Sequence, residues 1–84
     1  MYCDVTKVEV TGALSFTVWF ADGLRGIVEM QPSHLYGVFE KLKDPDFFAQ
    51  LRVEEGFVSW PDEIDLAPDA MYEAIKHDGR WILS

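Results

Sequence analysis

Between residues 5 and 30 apolar and polar side chains alternate with a period of two, which restricts this third of the chain to β-strands with one buried face. The clearest run is LSFTVWF, where Leu14, Phe16, Val18 and Phe20 point one way and Ser15, Thr17 and Trp19 the other. VEV before it and LRGIVEM after it extend the pattern, with turns expected at Thr11-Gly12 and Asp22-Gly23. A slip of one residue would turn a whole apolar face outward, so register can be decided by asking which pairing keeps that face intact. A two-residue Asp22-Gly23 loop would set Phe20 against Arg25 and Phe16 against Glu29. A three-residue loop over 21–23 pairs Phe20 with Leu24, Phe16 with Val28 and Leu14 with Met30 instead. The longer loop is the expectation, with Gly23 in the left-handed region where glycine carries no Cβ penalty. It puts Trp19 on the opposite face, across from Arg25 and near Thr17 and Ile27, within reach of a cation–π contact.

The rest of the chain reads as short helices around a second hairpin. QPSHLYG suggests a single turn, VFEKLK a short amphipathic piece, and DPDFFAQL a helix start with Asp44 as N-cap and Pro45 at the first helical position. LRVEEGFVSW turns at Glu55-Gly56, pairing Val53 with Val58 and Leu51 with Trp60, although this demands a positive φ at Glu55. PDAMYEAIKHDG is a helix with Pro68 in its first turn, Met71 and Ile75 on one face, and Gly79 just past its end. The apolar tail RWILS, residues 80–84, can pack back or add an edge strand. The expected order is β-β-β-α-(α)-β-β-α. That is an α+β fold, a small two-layer domain with an antiparallel sheet, in one domain spanning residues 1–84.

Charge narrows the partners. Seven basic against fifteen acidic residues give a formal net charge of −8 and a pI near 4.4. Such a surface repels phosphate backbones and anionic lipid, which argues against direct nucleic-acid or membrane binding and favours encounter with a basic protein. A single cysteine, Cys3, fits a reducing cytosol, and no signal-peptide pattern opens the chain, so a cytoplasmic protein is expected.

Three groups of residues stand out as candidate sites. The stretch VSWPDEIDLAPDAMYE gathers Asp62, Glu63, Asp65 and Asp69, whose oxygens suit a hard cation or acid–base work. Pro61 and Pro68 account for the same stretch structurally, as a strand exit, a turn and a helix start, with Asp65 capping a turn and Asp69 at the positive end of the helix dipole. Trp60, Pro61 and Tyr72 read either as core or as an aromatic groove rimmed by Asp62, Glu63 and Asp65. Trp19 with Ile27 on the outer sheet face would mark an interface if left uncovered. The histidines, His34 and His77, and the lone cysteine lie in no nucleophile pattern, and no zinc, phosphate-loop or dinucleotide motif is present, so no cofactor is expected.

The pieces GVF…L.DP..F, W-P-x-x-x-D-L-A-P and the tyrosine that follows resemble the bacterial DUF2442 family, over roughly residues 5 to 76. The resemblance implies a two-layer α+β fold and no established activity, and it suggests pairing with a small neighbouring protein in the manner of a toxin–antitoxin module. Some members of the family carry a further helix-turn-helix domain, which is not expected here. Where the family has Asn-Gly after Trp-Pro this chain has Asp62-Glu63, which removes the glycine a tight turn would use. The expectation is therefore a non-enzymatic protein-interaction module, an antitoxin-like or accessory partner of a small basic protein. It would bind through Trp19, Ile27, Trp60, Pro61, Asp62, Glu63, Asp65 and Tyr72. A metal-dependent or acid–base enzyme built on the carboxylates between Asp62 and Asp69 is the alternative. A homodimer through an edge strand or the tail is a further option.

Overall fold

The computed structural model describes residues 4–31, 37–62 and 64–83, and of Val38 the backbone alone. The period-two region forms a meander of β1 (Val5–Gly12), β2 (Ser15–Phe20) and β3 (Arg25–Met30). The β2–β3 register is the expected one: Phe16 pairs with Val28 and Trp19 with Arg25, and the Phe20 amide donates to the Leu24 carbonyl at 2.8 Å. Gly23 takes φ 93°, and the Asp22 carboxylate accepts from the Leu24 amide at 2.9 Å, closing the turn. The β1–β2 turn lies two residues later than expected, over Ala13 and Leu14, with Gly12 opposite Ser15.

Strand β1 contains a device that its alternation alone does not reveal. Its register steps from Val5 opposite Phe20 to Lys7 opposite Trp19, so Thr6 is the extra residue of a bulge. The bulge reverses the parity of the strand. Val5 therefore joins Val8 on the inner side, while Lys7 and Glu9 face outward.

Beyond the meander come a 3₁₀ stretch (Gly37–Lys43) and the one-turn helix α1 (Pro45–Phe48), where Asp44 caps the Asp46 amide at 2.9 Å. The expected single turn in QPSHLYG lies outside the described residues. A second, three-stranded sheet follows: β4 (Arg52–Glu54), β5 (Phe57–Trp60) and β6 (Ile64–Leu66). Glu55 and Gly56 accept positive φ values of 50° and 86°, and Val53 pairs with Val58 as the two-residue turn requires. The ladder stops at Arg52 opposite Ser59, one step short of the expected Leu51–Trp60 pair.

Helix α2 (Pro68–Asp78) buries Met71, Tyr72 and Ile75 and ends at Gly79, whose φ of 79° lets its amide reach the Ile75 carbonyl at 2.7 Å. The tail then forms β7 (Arg80–Leu83), parallel to β3, giving the larger sheet the order β1-β2-β3-β7. The protein is of the α+β class, but two points of the expected order change. Ile64 to Leu66 form a strand where a turn running into a helix was expected, and one pair of the larger sheet is parallel rather than antiparallel.

The inner face of the larger sheet packs against the smaller sheet, α1 and α2 in one apolar core. At its centre Trp60 is fully buried, 6.0 Å from Phe16 and 5.7 Å from Phe48 between ring centroids. The Trp60 Nε1–H donates to the Phe48 carbonyl at 2.9 Å, so the buried ring leaves no orphan donor. Helix and sheet approach most closely at Gly26. A Cβ there would lie 2.4 Å from Ile75 Cγ2 and 2.9 Å from the Gly79 carbonyl oxygen. Gly26→Ala is expected to destabilise by about 1–3 kcal/mol through overpacking. Urea denaturation would show it as a lower midpoint at unchanged slope, and an unchanged midpoint would mean that α2 can back away from β3.

Candidate functional site

With the inner face given to the core, apart from Val10 at its β1 edge, which stays 37% exposed, the functional candidates are the surfaces that remain. The outer face of the larger sheet is built by the residues of opposite parity to the core: Lys7 and Glu9 from β1, Thr17 and Trp19 from β2, Arg25, Ile27 and Glu29 from β3, and Arg80 and Ile82 from β7. Ile27 is 43% and Ile82 46% exposed, and no helix or strand among the described residues lies over them. Trp19, half-buried, forms one wall of a shallow cleft floored by Thr17 and Ile27 and flanked by Glu9 and Arg25. The cation over its ring is Lys7, with Nζ 4.7 Å from the centroid, rather than Arg25 opposite on β3. The bulge at Thr6 explains the exchange, because it brings Lys7 level with Trp19.

The register pairs align these side chains in rows across the strands. Glu9 is opposite Thr17, Thr17 opposite Ile27, and Ile27 opposite Arg80, so one row reads acidic, polar, apolar, basic. The next row runs Lys7, Trp19, Arg25. The outward positions therefore carry three cations, Lys7, Arg25 and Arg80, against two carboxylates, Glu9 and Glu29. The whole chain carries seven against fifteen, which leaves four against thirteen elsewhere. On a chain of net charge −8, this face carries one more cation than carboxylates.

The remaining candidates are dispersed. Trp60 is in the core, and Tyr72, 5% exposed, packs edge-on against Phe20 at 5.1 Å, so these rings build the interior instead of lining a groove. Pro61 is half-buried, and Asp62 adopts φ 66° in the turn that sets Trp60 opposite Ile64. Asp62 stands where the family has Asn, and a short polar side chain tolerates the left-handed region better than most; Glu63, at the family's glycine position, lies outside the described residues. Asp62 Oδ2 accepts from Lys41 Nζ at 2.5 Å; both partners are more than half exposed, so this pair adds little stability. Asp65 points outward from β6 rather than capping a turn, and Asp69 lies in the first turn of α2. Among the described residues no group of three or more His, Cys, Asp or Glu side chains is placed to hold a metal ion. Glu63, Cys3 and His34 lie outside the described residues, and His77 is exposed beside Asp78 at 3.0 Å.

Tyr72 has a second role that its burial makes possible. Its hydroxyl donates to Asp22 Oδ2 in the β2–β3 turn, tying that hairpin to α2, while Lys76 Nζ lies 5.9 Å from the Tyr72 ring centroid. The Tyr72 hydroxyl, then the Leu24 amide, lowers the Asp22 carboxyl below its ordinary 3.8. A carboxyl whose folded value is depressed stabilises the fold fully above its unfolded value, and the contribution is lost as pH falls through the folded one. Tyr72→Phe is expected to return the Asp22 titration toward 3.8, followed by carboxyl NMR shifts, and to reduce this acid-sensitive stabilisation to the part the Leu24 amide supplies. An unmoved Asp22 titration would contradict the tether.

The family described as a protein of unknown function, DUF2442, matches residues 5–77. No curated protein and no solved structure matches the chain. With nearly its whole length inside that match, the chain belongs to the DUF2442 family.

Proposed function

We propose that this protein is a non-enzymatic protein-interaction module whose docking surface is the outer face of the β1-β2-β3-β7 sheet. The observation that supports this reading is the apolar pair Ile27 and Ile82, left exposed on a four-stranded sheet face that also carries Trp19 and whose other face builds the core. Large apolar side chains grouped on an open sheet face, with charged residues around them, are the composition of a recognition surface. The charges around this patch are mixed in sign, which favours a partner that also offers both signs over a uniformly basic one. The acidic turn with Asp62 and Asp65 then serves as a flanking, solvating surface, as does Pro61 beside it. The lone Cys3 suits a reducing compartment, and we assign the module to the cytoplasm on that ground.

An acid–base or metal-dependent reaction needs its carboxylates gathered around one centre. Here Asp62, Asp65 and Asp69 stand on a turn, a strand and a helix, with Asp62 held by Lys41. No observation favours that second reading.

The test is recovery of the full-length chain from its source cell with whatever remains bound, repeated with Ile27→Asp. A stoichiometric complex, hetero- or homo-oligomeric, that the substitution weakens at least about tenfold is the expected result, since a buried charge without a partner costs 1.4 kcal/mol or more. A complex insensitive to Ile27→Asp but lost on neutralising Asp62 and Asp65 would move the docking surface to the acidic turn. Recovery of the bare monomer would overturn the reading.

A further inference from the structure

The row of outward residues across the larger sheet is complementary to its own reverse. From one edge to the other it reads Glu9, Thr17, Ile27, Arg80, with opposite charges at the ends and a polar–apolar pair between. We propose that the partner of this face is a second copy of the same chain, stacked sheet on sheet about a two-fold axis that runs parallel to the strands between β2 and β3. This inference rests on the reading of that face as the docking surface, and adds its occupant.

Symmetry makes the geometry explicit. A two-fold axis lying between the sheets and along the strands keeps each residue at its level and exchanges left for right, so β1 meets the other copy's β7 and β2 meets its β3. Glu9 then faces Arg80 of the other copy and Arg80 faces its Glu9, two ion pairs made by one symmetry element. Thr17 faces Ile27, and Ile27 faces Thr17, at the apolar centre. In the neighbouring row Trp19 meets the other copy's Arg25, which supplies the cation–π pairing that β3 does not make within the chain. One level the other way, the Ser15 hydroxyl comes opposite the Glu29 carboxylate. Strands about 4.8 Å apart put Glu9 and Arg80 about 14 Å from each other, and aligned sheets cross at about 30°. Long charged side chains absorb that offset.

The competing arrangement is disfavoured by charge. A two-fold axis across the strands would stack β1 on β1 and β7 on β7, bringing Glu9 onto Glu9 and Arg80 onto Arg80. The ends of the row thus select one of the two stackings, repulsion against the wrong one being as informative as attraction for the right one. The distribution of charge over the whole molecule acts in the same direction. Away from this face the chain carries thirteen carboxylates against four cations, so other approaches of two copies are repelled, while the face itself is nearly balanced. The sheet offers about 400 Å² in plan on each copy. At about 800 Å² for the two copies together this is smaller than a stable interface, so the association expected is weak and transient.

Sedimentation velocity of the purified full chain from about 10 to about 500 µM tests this directly. The parent chain is expected to pass from monomer to dimer over that range. Glu9→Arg and Arg80→Glu, each folded by circular dichroism, are expected to weaken the dimer at least about tenfold, because each leaves like charges at both ends of the row. An equimolar mixture of the two variants is expected to dimerise again, since arginine at both ends of one copy meets glutamate at both ends of the other. The double variant Glu9→Arg/Arg80→Glu is expected to recover as well. A parent chain that stays monomeric throughout, single variants that associate like the parent, or a mixture that stays monomeric would each overturn the self-association. If the parent is monomeric yet an Ile27-dependent complex with a different protein is recovered from cells, the occupant is wrong and the docking surface stands. If neither association is found, both fall.

Discussion

The approach of α2 to β3 at Gly26 sets the position of everything on the far side of the larger sheet. With no side chain at that point, Ile75 seats directly on the strand, and the helix ends with Gly79 beside Ile27, whose amide lies 3.4 Å from the Gly79 carbonyl. The left-handed turn at Gly79 then releases the chain alongside β3 in the same direction, so the tail has only to extend to pair with it. A bulkier residue at position 26 would lift the helix end away from the strand. The fourth strand, and with it Arg80 and Ile82, would lose its place. A close contact on the buried side is in this way the origin of the composition of the open side.

A second local irregularity completes that face. Without the bulge at Thr6, Val5 and Lys7 would point the same way, and either an apolar residue would be exposed or a lysine buried. The extra residue separates them, sends Val5 into the core, and brings Lys7 over Trp19 and Glu9 into line with Thr17. The outer face is therefore built by two small departures from regular structure, a glycine contact and a bulge, acting on otherwise ordinary alternating strands. Its near balance of charge contrasts with the strongly acidic remainder, so charge repulsion opposes close approach least at this face.

How much of this was legible depended on the range of the interaction involved. The β2–β3 loop length was readable because one register saves the apolar face and the other destroys it, and Phe16, Val18, Phe20 and Val28 leave no ambiguity. The turn at Glu55-Gly56 followed from the same reasoning despite the positive φ at Glu55. Helix α2 was marked at both ends, by Pro68 and Gly79. The parallel pairing of β7 was not readable, because nothing in RWILS encodes which of several strands it joins; that is decided by where α2 deposits it. Strand β6 was missed because Ile64, Asp65 and Leu66 are too few to show a period and sit between two prolines that suggest a turn. Trp19 and Ile27 were placed on the outer face by parity alone. Trp60 and Tyr72, read partly as a groove, belong to the core, where long-range contacts with Phe16, Phe48 and Phe20 use them. Lys7, Glu9 and Arg80 escaped notice as site residues, although the alternation of VTKVEV pointed two of them outward.

The measurement that bears most directly on the open sheet face as the surface of recognition is a dilution series of amide NMR spectra. Concentration-dependent shifts confined to outward positions of the larger sheet, Glu9, Thr17, Trp19, Arg25, Ile27 and Arg80, with Arg52, Ser59 and Asp65 of the smaller sheet unmoved, are the result expected. Shifts centred on the smaller sheet or on the Asp62 turn, with the larger sheet silent, would contradict it.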